Sequence, residues 1–176
     1  MARSADRPVL FLDVDGPLIP FGAPALLHAR ERSVSREDHG SSAPGSNPLL
    51  ARLDPGHGPR LAALPCDLVW ATTWAADANE CVAPVLGLPE LPVVDWPGPS
   101  EDEERDMRAG LHWKTRPLLD WAGGRPFVWV DDEITDRDRA WTAARCGERA
   151  LLHRVDPRVG LTDADFTLLD DWLRSV

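Results

Sequence analysis

Five short apolar segments, separated by stretches with helical character, constrain the fold of this chain more than any other feature. The first, "PVLFLDV", is an almost continuous apolar run, which is typical of a central strand buried on both faces of a parallel sheet. Strands that alternate with helices along a chain indicate a parallel α/β sheet. The predicted strands cover residues 8–14, 66–74, 91–96, 126–132 and 150–155.

The segments between the predicted strands should form helices and loops. Thr162 is a candidate N-cap for a C-terminal helix, because acidic residues follow it in the first turn. Residues 33–58 are polar and rich in turn-forming residues, so we expect a flap or loop there. The acidic run at 101–106 is expected to be a solvated loop. Further helices are predicted over 58–64, 75–87, 112–124 and 136–147.

The length and charge of the chain limit the kind of protein it can be. A chain of 176 residues fits one domain, covering 1–176. The formal charge of −10 disfavours non-specific attraction to nucleic acid, so stable binding to a duplex is not expected. No apolar run approaches the ~20 residues that span a bilayer. We therefore expect no membrane partner. Three scattered cysteines without a CxxC motif are typical of buried thiols in a reducing compartment, so we expect a cytoplasmic protein.

Four of the five predicted strands end in polar side chains. These residues are Asp13 and Asp15, Thr72 and Thr73, Asp95, and Asp131 with Asp132. In open α/β sheets, functional sites form where the carboxyl ends of the strands meet. At least four carboxylates would gather at that edge and repel one another strongly. A divalent cation relieves such repulsion, and hard oxygen ligands with this much charge favour Mg²⁺.

The stretch "FLDVDGPL" at residues 11–18 allows three interpretations: a turn, half of a calcium loop, or a catalytic pair of aspartates. A calcium loop with Gly16 at its sixth position would need acidic residues where Phe11 and Gly22 stand, so the spacing excludes it. A turn explains Gly16 and Pro17 but not two acids at the end of a buried strand. The polar ends of the other strands favour the catalytic pair.

Four motifs, in this order, make the chain resemble the haloacid dehalogenase (HAD) superfamily of phosphohydrolases. They are "DVDG" at 13–16, "LVWAT" ending at Thr72, "HWKTRP" containing Lys114, and "VWVDD" ending at Asp132. The resemblance covers roughly residues 8–155 and is closest to the small HAD domains of bacterial RNA-repair proteins. It implies a three-layer α/β/α, Rossmann-like fold with a central parallel sheet of about five strands. The gaps between the motifs leave no room for a large cap domain.

The resemblance implies a catalytic role for each motif. Asp13 is expected to attack phosphorus and form an aspartyl-phosphate, and Asp15 is expected to act as general acid and then general base. Lys114 is expected to neutralise negative charge as a compact cation. The Thr72 hydroxyl is expected to bind a phosphoryl oxygen, with Thr73 as the alternative.

The resemblance also implies a set of residues around Mg²⁺. Asp136 lies four residues beyond Asp132 and fits the extended form of the fourth motif, where it could orient Lys114 or support the metal ligands. The expected ligands are Asp13, the backbone carbonyl of Asp15, Asp132 and, assisting them, Asp131. Mg²⁺ would offset the repulsion between the nucleophile and the phosphate.

The substrate is expected to be a phosphate ester, with nucleotides or nucleic-acid ends favoured. Trp74 and Trp113 could stack on a base, or could pack helices onto the sheet. His112 could contact substrate, or could be a surface residue at a helix start. Residues 137–158 carry six arginines and three acids, which could guide a polyanion or be scattered solvated charges. A small-metabolite phosphatase and a catalytically idle module that binds a phospho-ligand or a protein are the alternatives.

Overall fold

A four-stranded parallel sheet lies at the centre of the protein. The computed structural model describes residues 7–21, 47–98 and 100–176. The strands are β1 (Val9–Leu12), β2 (Asp67–Trp70), β3 (Phe127–Asp131) and β4 (Ala150–Arg154). Along the sheet they follow the order β2-β1-β3-β4, with Leu12 of β1 opposite Trp70 of β2 and Val130 of β3. Because all four run in the same direction, their carboxyl ends meet at one edge.

The sequence of β1 explains its central position. All four of its side chains are fully buried, as a continuous apolar run predicts. Leu10 and Leu12 point into one apolar cluster, and Val9 and Phe11 point into a second cluster on the opposite face of the sheet. The sheet therefore needs helices on both faces, which is the predicted three-layer arrangement.

Helices cover both faces of the sheet. The helices are α1 (His57–Ala63), α2 (Ala83–Leu86), α3 (Glu101–Arg108), α4 (Thr115–Ala122), α5 (Asp136–Cys146) and α6 (Asp163–Ser175). Residues of α1, α2 and α6 pack in the cluster that contains Leu10, and residues of α4 and α5 pack in the cluster that contains Phe11. A π-helical turn, Ala78–Val82, leads into α2, and a 3-10 turn, Gly147–Arg149, follows α5. In the part of the chain that the structure describes, no helix is long and apolar enough to cross a membrane.

One of the five predicted strands does not form. Residues 91–96 run beside β2 but make only a single bridge, between Val93 and Trp70. Two backbone hydrogen bonds hold them there, from Trp70 N–H to the Pro92 carbonyl and from Val94 N–H to the Trp70 carbonyl. Pro92 has no N–H to donate and Pro97 follows closely, so the ladder does not extend into a strand.

The acidic run at 101–106 is a helix, not the loop that the sequence analysis predicted. Ser100 caps helix α3 by accepting a hydrogen bond from the Glu103 N–H. Four acidic side chains occupy the first turn and arginines the last, an order that the helix dipole favours. Asp106 is buried and accepts two hydrogen bonds from Arg116 of α4, at 2.6 and 2.8 Å. The charge pattern thus stabilises a helix and attaches it to α4.

Residues 33–46 of the predicted flap at 33–58 lie outside the described part of the chain. Its described portion is not a continuous loop. A 3-10 helix covers Pro48–Arg52, with the Asn47 side chain accepting a hydrogen bond from the Leu49 N–H. Helix α1 begins at His57, close to the start predicted at residue 58.

Candidate active site

Lys114 lies at the centre of the candidate site and is the only lysine in the chain. Its side chain is 2% exposed. The Nζ atom donates to Asp13 Oδ2 and to Asp131 Oδ2, each at 2.8 Å. Asp13 follows β1, Asp131 ends β3, and Lys114 is the residue before α4. Because an unpaired buried ammonium is costly, these two carboxylates account for the buried position of Lys114.

The carboxyl group of Asp13 is held from two sides. Its Oδ1 accepts a hydrogen bond from the Val14 N–H at 2.8 Å, and its Oδ2 accepts from Lys114. Burial raises the pKa of Asp13 to about 7; the charge of Lys114 opposes that rise, and the charge of Asp131 adds to it. Burial lowers the pKa of Lys114, but the charges of Asp13 and Asp131 and the hydrogen bonds to them outweigh burial. The pKa of Lys114 is therefore above its ordinary value. Lys114 alone therefore does not fully compensate the burial of the ionised Asp13 carboxylate.

Three aspartates form a group that can hold a metal ion. Asp13, Asp131 and Asp132 each offer an oxygen, and these three oxygens lie within 4.8 Å of one another. Burial and the neighbouring Asp131 also raise the pKa of Asp132. One lysine balances one of three negative charges, so the ionised group has an unmatched charge of about −2. A hard divalent cation such as Mg²⁺ fits this set of oxygen donors.

Asp131 is committed more fully to its protein neighbours than the other two aspartates. Its Oδ2 accepts from Lys114 and from Trp129 Nε1, and its Oδ1 accepts from the Glu133 N–H. Asp131 thus helps to hold Lys114 in place. The assisting role beside Asp13 and Asp132 that is expected for Asp131 stays a prediction.

Gly16 is needed where it stands in the "DVDG" motif. Its φ of +84° is a left-handed conformation that side-chain-bearing residues rarely adopt. A Cβ atom at this position would also lie 2.6 Å from the carboxylate carbon of Asp132. The glycine therefore turns the chain after β1 and lets Asp132 come close to the first motif.

Asp15 is not a member of the group of three aspartates. Its Oδ2 accepts a hydrogen bond from Trp74 Nε1 at 2.9 Å. Asp13, two residues earlier, instead contacts Lys114. The structure therefore gives the two aspartates different partners, and the contact with Trp74 was not predicted from the sequence.

The two threonines after β2 occupy different environments. Thr72 is fully buried, its Oγ1 accepts from the Trp74 N–H at 3.3 Å, and its carbonyl accepts from Trp96 Nε1 at 3.1 Å. Thr73 is exposed. Thr72 is the better fixed of the two candidates.

Asp138 is a site residue that the sequence analysis missed. It is fully buried, and its carboxylate accepts hydrogen bonds from four donors. These donors are the Thr115 hydroxyl, the Thr135 hydroxyl and N–H, and the His112 N–H. Asp138 therefore ties the start of α5 to the segment on either side of Lys114. The signal was present, because "TDRD" at 135–138 repeats the capping pattern "TDAD" at 162–165.

The expected contact between Asp136 and Lys114 is not formed. The Asp136 side chain is fully exposed and pairs with Arg139 at 2.9 Å, three residues later in α5. Asp136 is the first residue of α5, and its side chain faces solvent. The supporting position falls to Asp138, two residues later, because the Thr135 cap turns that side chain back toward Lys114.

The residues just before Lys114 are placed by contacts inside the protein. The His112 side chain is 11% exposed, so it is not a surface residue; its Nε2 lies 3.0 Å from Glu133 Oε2 and its Nδ1 accepts from the Lys114 N–H. The Trp113 ring packs edge-on against Trp96, with 4.7 Å between centroids. Trp113 also borders a cavity of about 460 Å³ beside α3 and α4.

The arginines of residues 137–158 are not equivalent. Arg139, Arg145 and Arg158 each make hydrogen bonds within their own helix or turn. Arg154, the last residue of β4, is exposed and donates from Nε to the Asp132 carbonyl at 2.8 Å. This bond fixes one guanidinium group beside the metal-binding candidates.

This fold and site are those of a HAD-type domain. The four motifs meet at the carboxyl edge of a parallel sheet, as the resemblance implies. The family model for the HAD domain in Swiss Army Knife RNA repair proteins matches residues 9–166. The chain therefore belongs to this family, which confirms the predicted resemblance. No curated protein and no solved structure gave a significant match.

Proposed function

We propose that this domain is a Mg²⁺-dependent phosphomonoesterase that acts through an aspartyl-phosphate on Asp13. The observation that carries the proposal is the position of Lys114 Nζ, 2.8 Å from both Asp13 and Asp131, in a group where Asp132 is also close. Hydrolysis of phosphate monoesters is extremely slow without a catalyst. A buried carboxylate nucleophile beside a fixed cation and a metal site supplies what that reaction needs.

In the first step, Asp13 attacks the phosphorus atom. An oxygen of its carboxylate forms a bond to phosphorus, and the bond from phosphorus to the ester oxygen breaks. The ester oxygen keeps the electron pair and takes a proton from Asp15. Lys114 and the Thr72 hydroxyl bind the phosphoryl oxygens and stabilise their charge. The products of this step are an alcohol and phosphorylated Asp13.

In the second step, water releases the phosphate. Asp15, now ionised, takes a proton from the attacking water, whose oxygen forms a bond to phosphorus. The bond between phosphorus and Asp13 breaks, and its electron pair returns to the carboxylate. The enzyme is restored with Asp15 protonated, and inorganic phosphate leaves.

The metal site would be formed by Asp13, Asp132 and the backbone carbonyl of Asp15, with Asp131 nearby. A bound Mg²⁺ supplies positive charge that lowers the repulsion between a carboxylate nucleophile and a phosphate dianion. The raised pKa values of Asp13 and Asp132 support this assignment, since both carboxyls lack enough positive charge in the protein alone.

The substrates we favour are the phosphorylated ends of nucleic-acid strands. The family takes its description from RNA repair proteins. Arg154 provides an exposed, anchored guanidinium at the same sheet edge, where it could bind a neighbouring phosphodiester. Such a contact needs no sequence recognition, which suits an acidic protein that holds only the end of a strand.

A substrate panel with and without Mg²⁺ tests the proposal. The panel should contain an aryl phosphate, mononucleotides, sugar phosphates, and RNA and DNA oligonucleotides with a 5′- or 3′-phosphate. We expect Mg²⁺-dependent phosphate release, with the highest kcat/KM on an oligonucleotide end. Release from sugar phosphates alone would leave a small-metabolite phosphatase, and no release from any compound would contradict the enzymatic function.

Asp13→Asn is the variant for the same assay. The amide is close in size to the carboxylate but is a poor nucleophile, so turnover should disappear while the protein remains folded. Asp136→Asn is a matched control, because that side chain is fully exposed and pairs only with Arg139 among the described contacts. It should keep activity within about twofold, since surface substitutions have small effects.

A further inference from the structure

The indole of Trp74 is directed at Asp15. Its Nε1 donates to Asp15 Oδ2 at 2.9 Å, between residues that are 59 apart in the sequence. Asp15 is partly buried, and its backbone bridges to Ile19 in the turn after β1. A neutral donor placed on one oxygen leaves the other oxygen, Oδ1, as the one that can carry a transferable proton.

The backbone around Trp74 is itself constrained. Ala75, the next residue, has a φ of +48°, and it is the one residue other than glycine with a positive φ in the described part of the chain. This conformation is strained for a residue with a Cβ. The Trp74 N–H is bound to the Thr72 hydroxyl, and its ring packs against the apolar cluster on one face of the sheet. The protein thus tolerates strain at the position that fixes this indole.

We infer that Trp74 is a positioning residue that aims Asp15 at the leaving oxygen of the substrate. This inference rests on the proposed function. In the first step, the bond from phosphorus to the ester oxygen breaks as Asp15 Oδ1 gives its proton to that oxygen. The Trp74 N–H remains bound to Oδ2 throughout and holds the carboxyl plane in one orientation. Trp74 would therefore act through Asp15, not by stacking on a base.

The inference predicts a dependence on the leaving group. Esters whose alcohol is a poor leaving group need the proton from Asp15, whereas 4-nitrophenolate leaves without it. Loss of the indole N–H should therefore slow the two kinds of substrate unequally. A loss of structure would slow both equally, so the ratio separates a positioning role from a structural one.

The experiment compares wild type with Trp74→Phe on a series of phosphate esters from 4-nitrophenyl to phenyl to simple alkyl. We expect kcat/KM for alkyl phosphates to fall by about tenfold to a hundredfold, the size of one hydrogen bond to a charged group. For 4-nitrophenyl phosphate it should stay within about threefold. An equal fall on all esters, or no fall on any, overturns the inference.

A matched control removes an indole hydrogen bond elsewhere. Trp70 in β2 is fully buried, and its Nε1 donates to Asn79 Oδ1 at 2.8 Å. Trp70→Phe should lower stability but leave the ratio of alkyl to aryl rates unchanged. If Trp74→Phe does not fold, a benzothienylalanine at position 74 keeps the ring size and removes only the N–H donor.

NMR gives a readout that does not depend on activity. The chain has eight tryptophans, and the indole N–H signal of Trp74 is identified by its absence in Trp74→Phe. Asp15→Ala should shift that signal more than any other indole signal, and an unshifted signal overturns the contact. If the contact is present but wild type hydrolyses no phosphate ester, the proposed function fails, and the catalytic meaning of the contact fails with it.

Discussion

The ammonium group of Lys114 sits between two carboxylates in a space where its side chain is only 2% exposed. Every other basic residue among the 19 lysines and arginines of this chain is an arginine. A lysine offers a compact point charge, whereas a guanidinium is planar and larger. This difference explains why the site uses lysine in a protein that otherwise uses arginine.

Lys114→Arg should therefore be a damaging substitution although it conserves charge. The larger group cannot keep both 2.8 Å contacts without displacing Asp13 or Asp131. We expect kcat to fall by at least about a hundredfold, comparable to the loss of one oxyanion donor. Steady-state kinetics with circular dichroism measure activity and folding together. A variant with near-normal kcat would contradict the role given to Lys114.

Asp138→Asn should make stability less dependent on acid. Burial opposes ionisation of Asp138, but hydrogen bonds from Thr115, Thr135 and the His112 N–H outweigh it and hold the pKa below its usual value of 3.8. A carboxyl with a lowered pKa in the folded state stabilises the fold above its unfolded pKa and loses that contribution as the pH falls through the folded value. Wild-type stability should therefore drop below about pH 4, with a smaller drop in the variant.

Urea denaturation at pH 7, 4 and 3 measures this effect of Asp138. At pH 7 the variant should be less stable by about 1–3 kcal/mol, because one hydrogen-bonded charge is lost. The gap between wild type and variant should narrow as the pH falls. A gap that stays constant with pH would show that folding does not lower the pKa of Asp138.

Among the elements, two helices begin with the same capping box. Thr135 caps α5 and Thr162 caps α6. Each threonine side chain accepts a hydrogen bond from the N–H of an aspartate three residues later, and the carboxylate of that aspartate accepts one from the threonine N–H. The first aspartate, Asp138, also holds the segment around Lys114, whereas the second, Asp165, contacts His153 at 2.7 Å. One local motif therefore has two different consequences in this fold.

Thr135→Ala and Thr162→Ala separate these consequences. Each should lower the free energy of unfolding by about 1 kcal/mol, the usual effect of losing such a cap. Only Thr135→Ala should also reduce kcat, because Asp138 loses a partner and holds Lys114 less firmly. Thermal unfolding and steady-state kinetics on both variants check this. Equal activity in the two variants would mean that the cap of α5 does not support the site.

Sequence patterns predicted the elements that are decided locally. The apolar run of β1 and the cap of α6 are visible in single segments, and both were predicted. Residues 91–96 were predicted as a strand because the apolar pattern does not show that Pro92 limits pairing. The α3 helix was missed because its acids suggest a solvated loop, and its anchor, the pair of Asp106 and Arg116, joins two separate helices.

The candidate site shows the same difference between features visible in single segments and features that depend on contacts between segments. The convergence of parallel strand ends predicts that Asp13 lies close to Asp132, whereas the position of Lys114 beside Asp13 was implied by the family resemblance. The contact between Trp74 and Asp15 and the place of Asp138 were not predictable, since both depend on the direction of side chains across different elements. Asp136 was chosen because its spacing from Asp132 fits the extended form of the fourth motif, but its side chain is fully exposed at the start of α5.

At the scale of the whole molecule, the sheet gathers negative charge from separate strands at one edge. A chain with a formal charge of −10 thereby gains a group of carboxylates that can bind a cation. Arg154, fixed at the same edge, adds positive charge on the side of β4. Removal of the metal should therefore affect the stability of the fold as well as activity.

Mg²⁺ should stabilise the protein more at pH 8 than at pH 6. Burial raises the pKa of Asp13 from 3.8 to about 7, with Lys114 opposing and Asp131 reinforcing the rise. Between pH 3.8 and about pH 7, Asp13 holds a proton in the folded state but not in the unfolded state. The stability of the metal-free protein therefore falls as the pH rises through this range. A cation that binds the ionised group competes with this proton.

Melting temperatures with Mg²⁺ and with EDTA, at pH 6 and pH 8, test this linkage. The rise in Tm caused by Mg²⁺ should be larger at pH 8, and Asp132→Asn should reduce it at both pH values. Equal stabilisation at the two pH values would contradict the competition between Mg²⁺ and a proton on Asp13.

The most direct test of the central claim is detection of phosphate on Asp13. Protein mixed with a good substrate and Mg²⁺, stopped with acid within the first turnover and digested, should yield the peptide containing Asp13 with the added mass of one phosphoryl group. Asp13→Asn should not yield it. If wild type releases phosphate but no stopped sample carries phosphorylated Asp13, and Asp13→Asn keeps its activity, Asp13 is not the nucleophile.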